Sequence, residues 1–261
     1  MRSPSPIISE GLSECLSEGL SEGLIDSFRA GKLNVYIFDS RQQTSKAAAA
    51  AVAAKMRKLI AERGRAVGVF TSEPSHNEFL DELVKAEEIE WTRVIGFHLD
   101  ELLGANEDAP QSHRRFLFDR LVKRVPMAEF HGLRGEAANP EAVCANYAAA
   151  LKSRPPDFAT LDVGDNGRLA SIDPSVCDFN DPAMVRVVEL TEPSHRAISL
   201  TIPAIMSCPK LFLIAPDTTK QNAVREMIAG EITTTCPASI LRTHEDAHLF
   251  LDRDSAAKLA C

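Results

Sequence analysis

Two short segments carry residues able to do chemistry. The first is Phe97-His98-Leu99-Asp100-Glu101-Leu102-Leu103-Gly104, in which an apolar run ends on adjacent carboxylates. A carboxylate partly removed from water gains proton affinity and can shuttle a proton from carbon, so Asp100 is a candidate base. His98, two positions earlier, falls on the same strand face. Taken alone, an Asp-Glu pair at a strand end is more often a helix cap or a solvated turn. The second segment is Val163-Gly164-Asp165-Asn166-Gly167-Arg168-Leu169-Ala170-Ser171-Ile172-Asp173-Pro174. Its glycines, Gly167 among them, let the backbone turn sharply and approach a ligand, while Asn166, Arg168 and Asp173 offer polar groups. An arginine cannot act as a base near neutral pH, so turnover hinges on position 168.

Anion binding has two further candidates. Thr71-Ser72-Glu73-Pro74-Ser75 follows an apolar run and leads into a helical pattern near Asn77, where free backbone N–H groups and the hydroxyls of Ser72 and Ser75 could cradle a phosphate. Glu73 would repel that phosphate, and a serine-capped helix start explains the segment comparably well. Lys220 stands at another helix start, where a cation opposes the macrodipole unless an anion balances it. The histidines show no HxH or HxxxH spacing with a third ligand nearby, His244 and His248 lying around a turn, so no metal is expected. No GxSxG elbow occurs, which argues against a serine hydrolase.

These segments need a scaffold. From Leu33 onward apolar, β-rich runs (33–38, 67–70, 94–99, 158–163, 185–190, 198–202 and 211–215) alternate with helical patterns at 45–63, 77–85, 111–124, 141–152 and 220–229. Strands that are almost continuously apolar belong to a sheet covered on both faces. The pattern predicts a three-layer, doubly wound α/β fold of Rossmann-like type: a mostly parallel sheet with helices on both faces. Ligands gather beyond the carboxyl ends of such strands, which selects the loops 71–76, 100–104, 164–174 and 216–220.

With 261 residues, 44% of them hydrophobic, one domain over 31–261 is expected. Residues 1–30 read as a low-complexity, poorly ordered leader, because Ser9 to Leu24 repeat a Ser-Glu-Gly-Leu unit whose glycines weaken any helix. A net charge of −8 gives no general attraction for nucleic acid or anionic membrane, so a phosphorylated ligand needs a local cationic site. The six cysteines form no CxxC pair and read as reduced thiols, consistent with a cytoplasmic protein. Neither a secretory signal nor a membrane-length apolar run is visible.

Taken together and in order, the blocks resemble the family of glucosamine-6-phosphate deaminases and 6-phosphogluconolactonases. Phe97 to Gly104 is similar to the family's F-x-M-D-E-Y-x-G block, and Gly164 to Pro174 to its G-x-[DN]-G-H-[IL]-[AG]-F-N-[ED]-P loop. Leu200 to Ala204, Lys220 to Val224 and Cys236 to His244 complete the match from about Val35 to Leu259. The resemblance implies isomerisation of an aldose to a ketose with loss of ammonia, glucosamine 6-phosphate and water giving fructose 6-phosphate. Asp100 takes the position that moves a proton between C2 and C1, and Asn166, Arg168 and Asp173 take the ring-opening positions. Lys220, with Ser72 and Ser75, falls where the family grips phosphate; no metal or organic cofactor is implied, and a homo-oligomer is compatible.

Departures from the pattern keep other readings open. Arg168 stands where the family has a histidine, Leu102 where it has tyrosine, and Ser171-Ile172 where it has Phe-Asn. The chain also passes from Glu192-Pro193-Ser194-His195-Arg196 almost directly to the strand at Ile198, where relatives carry a further pocket loop. A working deaminase, its ring opening slow or assisted by His98, competes with a catalytically impaired sugar-phosphate-binding paralogue. A 6-phosphogluconolactonase is the third reading, with the Asp100-Glu101 block against it.

Overall fold

A computed structural model of the protein describes residues 22–190 and 196–259. Eleven strands fall in chain order: β1 (Leu24–Ala30), β2 (Leu33–Phe38), β3 (Ala66–Phe70), β4 (Val94–His98), β5 (Asp100–Leu102), β6 (Glu129–His131), β7 (Phe158–Leu161), β8 (Val185–Glu189), β9 (Arg196–Leu200), β10 (Leu211–Ile214) and β11 (Ala247–Asp252). Six α-helices join them: α1 (Arg41–Arg63), α2 (Asn77–Leu83), α3 (His113–Leu117), α4 (Pro140–Ser153), α5 (Ile202–Met206) and α6 (Gln221–Ala229).

Eight strands form one sheet in the order β1-β2-β11-β10-β7-β3-β4-β6, parallel throughout except for β1 on its edge. The apolar runs are continuous because alternate residues enter different cores. Val67 and Val69 pack on one face with Tyr147 and Leu151 of α4, while Ala66 and Phe70 pack on the other with Met56 of α1 and Phe79 of α2. β10 divides in the same way, Leu211 and Leu213 against Phe212 and Ile214. This is the expected doubly wound α/β architecture with helices on both faces. Helix α1 is delimited by its ends: the Ser40 side chain accepts from the Gln43 amide, and Gly64 adopts φ 73° to stop it.

The structure corrects several boundaries. Leu24–Ala30 was expected within a poorly ordered leader, yet it forms β1, held antiparallel against β2. The Ser-Glu-Gly-Leu repeat up to residue 21 lies outside the described residues. The helix expected over 111–124 is α3 followed by a π-helical stretch, Phe118–Val122. The runs at 185–190 and 198–202 do not join the main sheet: β8 and β9 pair with β5 in a separate antiparallel sheet. That small sheet carries Asp100 away from β4 and over the carboxyl ends of the main strands. Among the described residues no helix is long and apolar enough to cross a membrane, and Cys144, Cys177, Cys208 and Cys236 are free thiols.

The sheet order also places the site. From β3 the chain proceeds outward to β4 and β6, whereas from β7 it proceeds the other way to β10 and β11. β3 and β7 are therefore neighbours whose connections diverge, and a crevice opens beyond their carboxyl ends. The loops leaving these two strands contain Ser72-Glu73 and the Gly164–Pro174 segment.

Candidate active site

Asp100 opens β5 and is 3% exposed. One carboxylate oxygen, Oδ2, accepts a hydrogen bond from Ser171 Oγ at 2.5 Å, and the other, Oδ1, lies 3.4 Å from His113 Nδ1. Burial by itself would raise the proton affinity of this carboxyl. The positive His113, its hydrogen bond and that of Ser171 outweigh burial and hold Asp100 at about 2. The sequence argument anticipated raised proton affinity, and the structure reverses it because His113 comes alongside. Burial likewise opposes a charge on His113, but Asp100 lifts that imidazole to about 9. The pair is a carboxylate and an imidazolium at neutral pH. Sequence spacing did not single out His113; it becomes visible only when α3 packs beneath β5.

Glu101, the second carboxylate, has a structural role. Its two oxygens accept from the Leu102, His113 and Arg114 amides and from Ser112 Oγ, at 2.8–3.0 Å. It therefore caps the start of α3 and fixes the backbone of His113 relative to Asp100. His98 is fully buried and does not share this cavity wall, and burial pushes its pKa down to about 3, so it is neutral. Neither ring nitrogen of His98 has a hydrogen-bond partner.

The Gly164–Pro174 loop folds on itself. Gly164 N–H donates to Arg168 O and Gly167 N–H to Gly164 O. Gly167 takes φ 82°, and a Cβ there would stand 2.8 Å from Cys236 Sγ, so only glycine fits. Leu169 and Ile172 are buried and anchor the loop. The polar members turn toward each other: Asn166 Nδ2 donates to Asp173 Oδ1 at 3.1 Å, and Arg168 N–H donates to Asn166 Oδ1 at 3.0 Å. The Arg168 guanidinium reaches Glu73 Oε1 at 3.4 Å. Burial disfavours its charge, but Glu73, Asp100 and Asp173 more than compensate, so it stays protonated.

These groups meet in one cavity of about 390 Å³, lined among others by Glu73, Asp100, His113, Asn166, Arg168 and Asp173. Ser72, Ser75, Gly167 and Lys220 are not in its lining. The hydroxyl oxygens of Ser72 and Ser75 are buried without a protein partner. Lys220 is already engaged, its Nζ 2.7 Å from Asp162 Oδ2 with both side chains largely out of solvent. Burial raises Asp162 to about 6 despite that lysine, with Glu73 adding to the rise.

The expectation of no metal rested on sequence spacing. In space, one ligand atom each from His98, Asp100 and His113 lies within 4.8 Å of the others. The shortening expected before Ile198, where relatives carry a further pocket loop, falls on residues 191–195, which lie outside the described residues.

A carboxylate and imidazolium facing a glycine-turn loop across the switch-point crevice define an α/β protein built to act on a small polar ligand. Residues 39–250 match the family model described as glucosamine-6-phosphate isomerases/6-phosphogluconolactonase, and the chain belongs to that family. A glucosamine-6-phosphate deaminase of Listeria innocua is 32% identical over 191 residues, covering 68% of this chain and 81% of the relative. One from Clostridium botulinum is 28% identical over 245 residues, covering 87% of this chain and 99% of the relative. In structure, the chain resembles a monomeric glucosamine-6-phosphate deaminase with TM-score 0.77 at 24% identity, covering 86% of this chain and 99% of that one. It also resembles a 6-phosphogluconolactonase from Shewanella baltica with TM-score 0.75 at 20% identity, covering 87% and 100% respectively.

Proposed function

We propose that the protein is a glucosamine-6-phosphate deaminase, isomerising a phosphorylated hexosamine and releasing ammonia as the ketose forms. Water is consumed and the C–N bond is broken, so the net products are fructose 6-phosphate and ammonia. The observation that carries this reading is the shared cavity in which Asp100 faces Asn166, Arg168 and Asp173. Asp100 takes the C2 proton and returns it to C1. Ser171 holds one oxygen of that carboxylate, so the other is presented in a fixed direction. His113 compensates the carboxylate's charge and offers a proton next to it. Arg168 orients the ring oxygen or anomeric hydroxyl but relays no proton, so ring opening is the slow step.

One pair of observations favours a second reading, a binding protein with little turnover. Arg168 and Lys220, the two cations assigned to the substrate from the sequence, are each held by a protein carboxylate, Arg168 by Glu73 and Lys220 by Asp162. Ammonia release from glucosamine 6-phosphate, measured for the protein and for Arg168→His, separates the two. Native release that rises by orders of magnitude in Arg168→His supports the enzyme with slow ring opening. Silence from both, with the sugar phosphate still raising Tm, supports binding alone. Lactone hydrolysis in the same preparation tests the lactonase alternative.

A further inference from the structure

A second chemistry lies at and just behind the wall of the cavity, where Asp100 and His113 line it and His98 is buried beyond them. His98 ends β4, Asp100 opens β5 and His113 opens α3, so all three side chains are mounted on regular elements. Their backbones are pinned. Tyr147 Oη accepts from His98 N–H at 2.6 Å and donates to His98 O at 2.7 Å, and Glu101 accepts from the His113 amide at 3.0 Å.

His98 is the unusual member. An imidazole removed from water with both nitrogens unpartnered is costly, and a buried polar group normally finds a partner. Its neighbours in the direction of the cavity are Asp100 and His113, with the His113 ring centroid 6.4 Å away. One nitrogen from each histidine and one oxygen from Asp100 lie within 4.8 Å of each other. An ion bound at about 2.0–2.1 Å in a tetrahedral array spaces its ligand atoms about 3.4 Å apart, so closure asks the ligand atoms to approach one another by up to about 1.4 Å.

We propose that His98, Asp100 and His113 form a binding site for a divalent transition-metal ion of the zinc class, with its fourth position open to the cavity. Two imidazoles and one carboxylate suit such an ion better than magnesium or calcium, which favour all-oxygen sets. Ser171, donating to the second oxygen of Asp100, orients the ligating carboxylate as outer partners do in zinc sites. Asp100 and His113 line the cavity and provide the route of entry. A bound ion occupies the carboxylate assigned above to proton transfer, so metal and isomerisation compete for Asp100. That consequence rests on the proposed function, whereas the binding itself does not.

The test uses the full chain freed of metal with a chelator, titrated with zinc chloride by calorimetry and with cobalt(II) chloride by absorption spectroscopy. The expected result is one zinc per chain and cobalt d–d bands of four-coordinate intensity. His113→Ala and Asp100→Asn each weaken zinc uptake by at least about 100-fold, and Ser171→Ala weakens it by roughly 10-fold. His131→Ala leaves uptake unchanged. His113 sits at a partly exposed helix start, and circular dichroism verifies that its variant is folded. Failure of the folded native chain to take up zinc at a tenfold excess, or equal uptake by His113→Ala, overturns the proposal. Because the cobalt spectrum needs no substrate, its outcome is independent of whether ammonia is ever released.

Discussion

Lys220 Nζ sits 2.7 Å from Asp162 Oδ2, so the lysine expected to grip a phosphate is already paired. The second oxygen of Asp162 is buried with no partner. A dianion arriving at Lys220 must compete with this carboxylate. Asp162→Asn is therefore expected to tighten binding of glucosamine 6-phosphate by about 10-fold, or about 1.4 kcal/mol, in calorimetry. Without an anion the variant leaves Lys220 uncompensated and loses about 3 kcal/mol of stability. Added phosphate restores part of that loss. Unchanged affinity would show that phosphate does not reach Lys220.

Asp100 has two partners that keep it ionised and in place. Asp100→Asn retains the shape of the side chain but cannot accept a proton from carbon. Exchange of deuterium from solvent into C2 of the sugar phosphate is expected to fall by about 10²–10⁴-fold, with Kd for the substrate little changed. Exchange at the native rate in the variant would move the base elsewhere.

Glu101 holds the start of α3 through three hydrogen bonds, two of them from backbone amides, and accepts a fourth from its own neighbour Leu102. Glu101→Ala leaves those donors without their acceptor and is expected to cost about 3 kcal/mol in urea unfolding. A residual cavity activity that falls further than the stability does would add a positioning role through His113. An unfolding midpoint equal to that of the native chain would contradict the cap.

Acid should destabilise the protein through its buried histidines. His76 is fully buried, and burial pushes its pKa from 6.5 down to about 3. The unfolded chain therefore binds more protons than the folded one between those values, and stability is lost as pH falls from about 6.5 toward 3. Each such group adds a slope of about 1.4 kcal/mol per pH unit. His98 contributes in the same sense, while Asp162, raised to about 6, acts oppositely between its unfolded value and 6. His76→Leu is expected to flatten the acid limb of a stability–pH curve by about one proton. An unaltered slope would mean that His76 takes up its proton while folded.

The chain itself determined the layers. Short runs apolar at every position, bounded by turn residues, fit strands covered on both faces, since successive side chains point opposite ways; β3 and β10 show both sets buried. The rule that ligands gather beyond parallel strands selected the loops at 71–76, 100–104, 164–174 and 216–220; Glu73, Asp100, Asn166, Arg168 and Asp173 of the first three line one cavity, and no residue of 216–220 does. Tertiary structure decided which charges neutralise which. Arg168 with Glu73 is a contact across 95 residues, Lys220 with Asp162 across 58, and Asp100 with Ser171 across 71. Each depends on the order in which strands join the sheet, and β5 joins a second sheet altogether. Periodicity records which face a residue takes on its own element, whereas the neighbour it meets is set by packing between elements. For that reason His113, adjacent to Asp100 in space, carried no signal in the sequence.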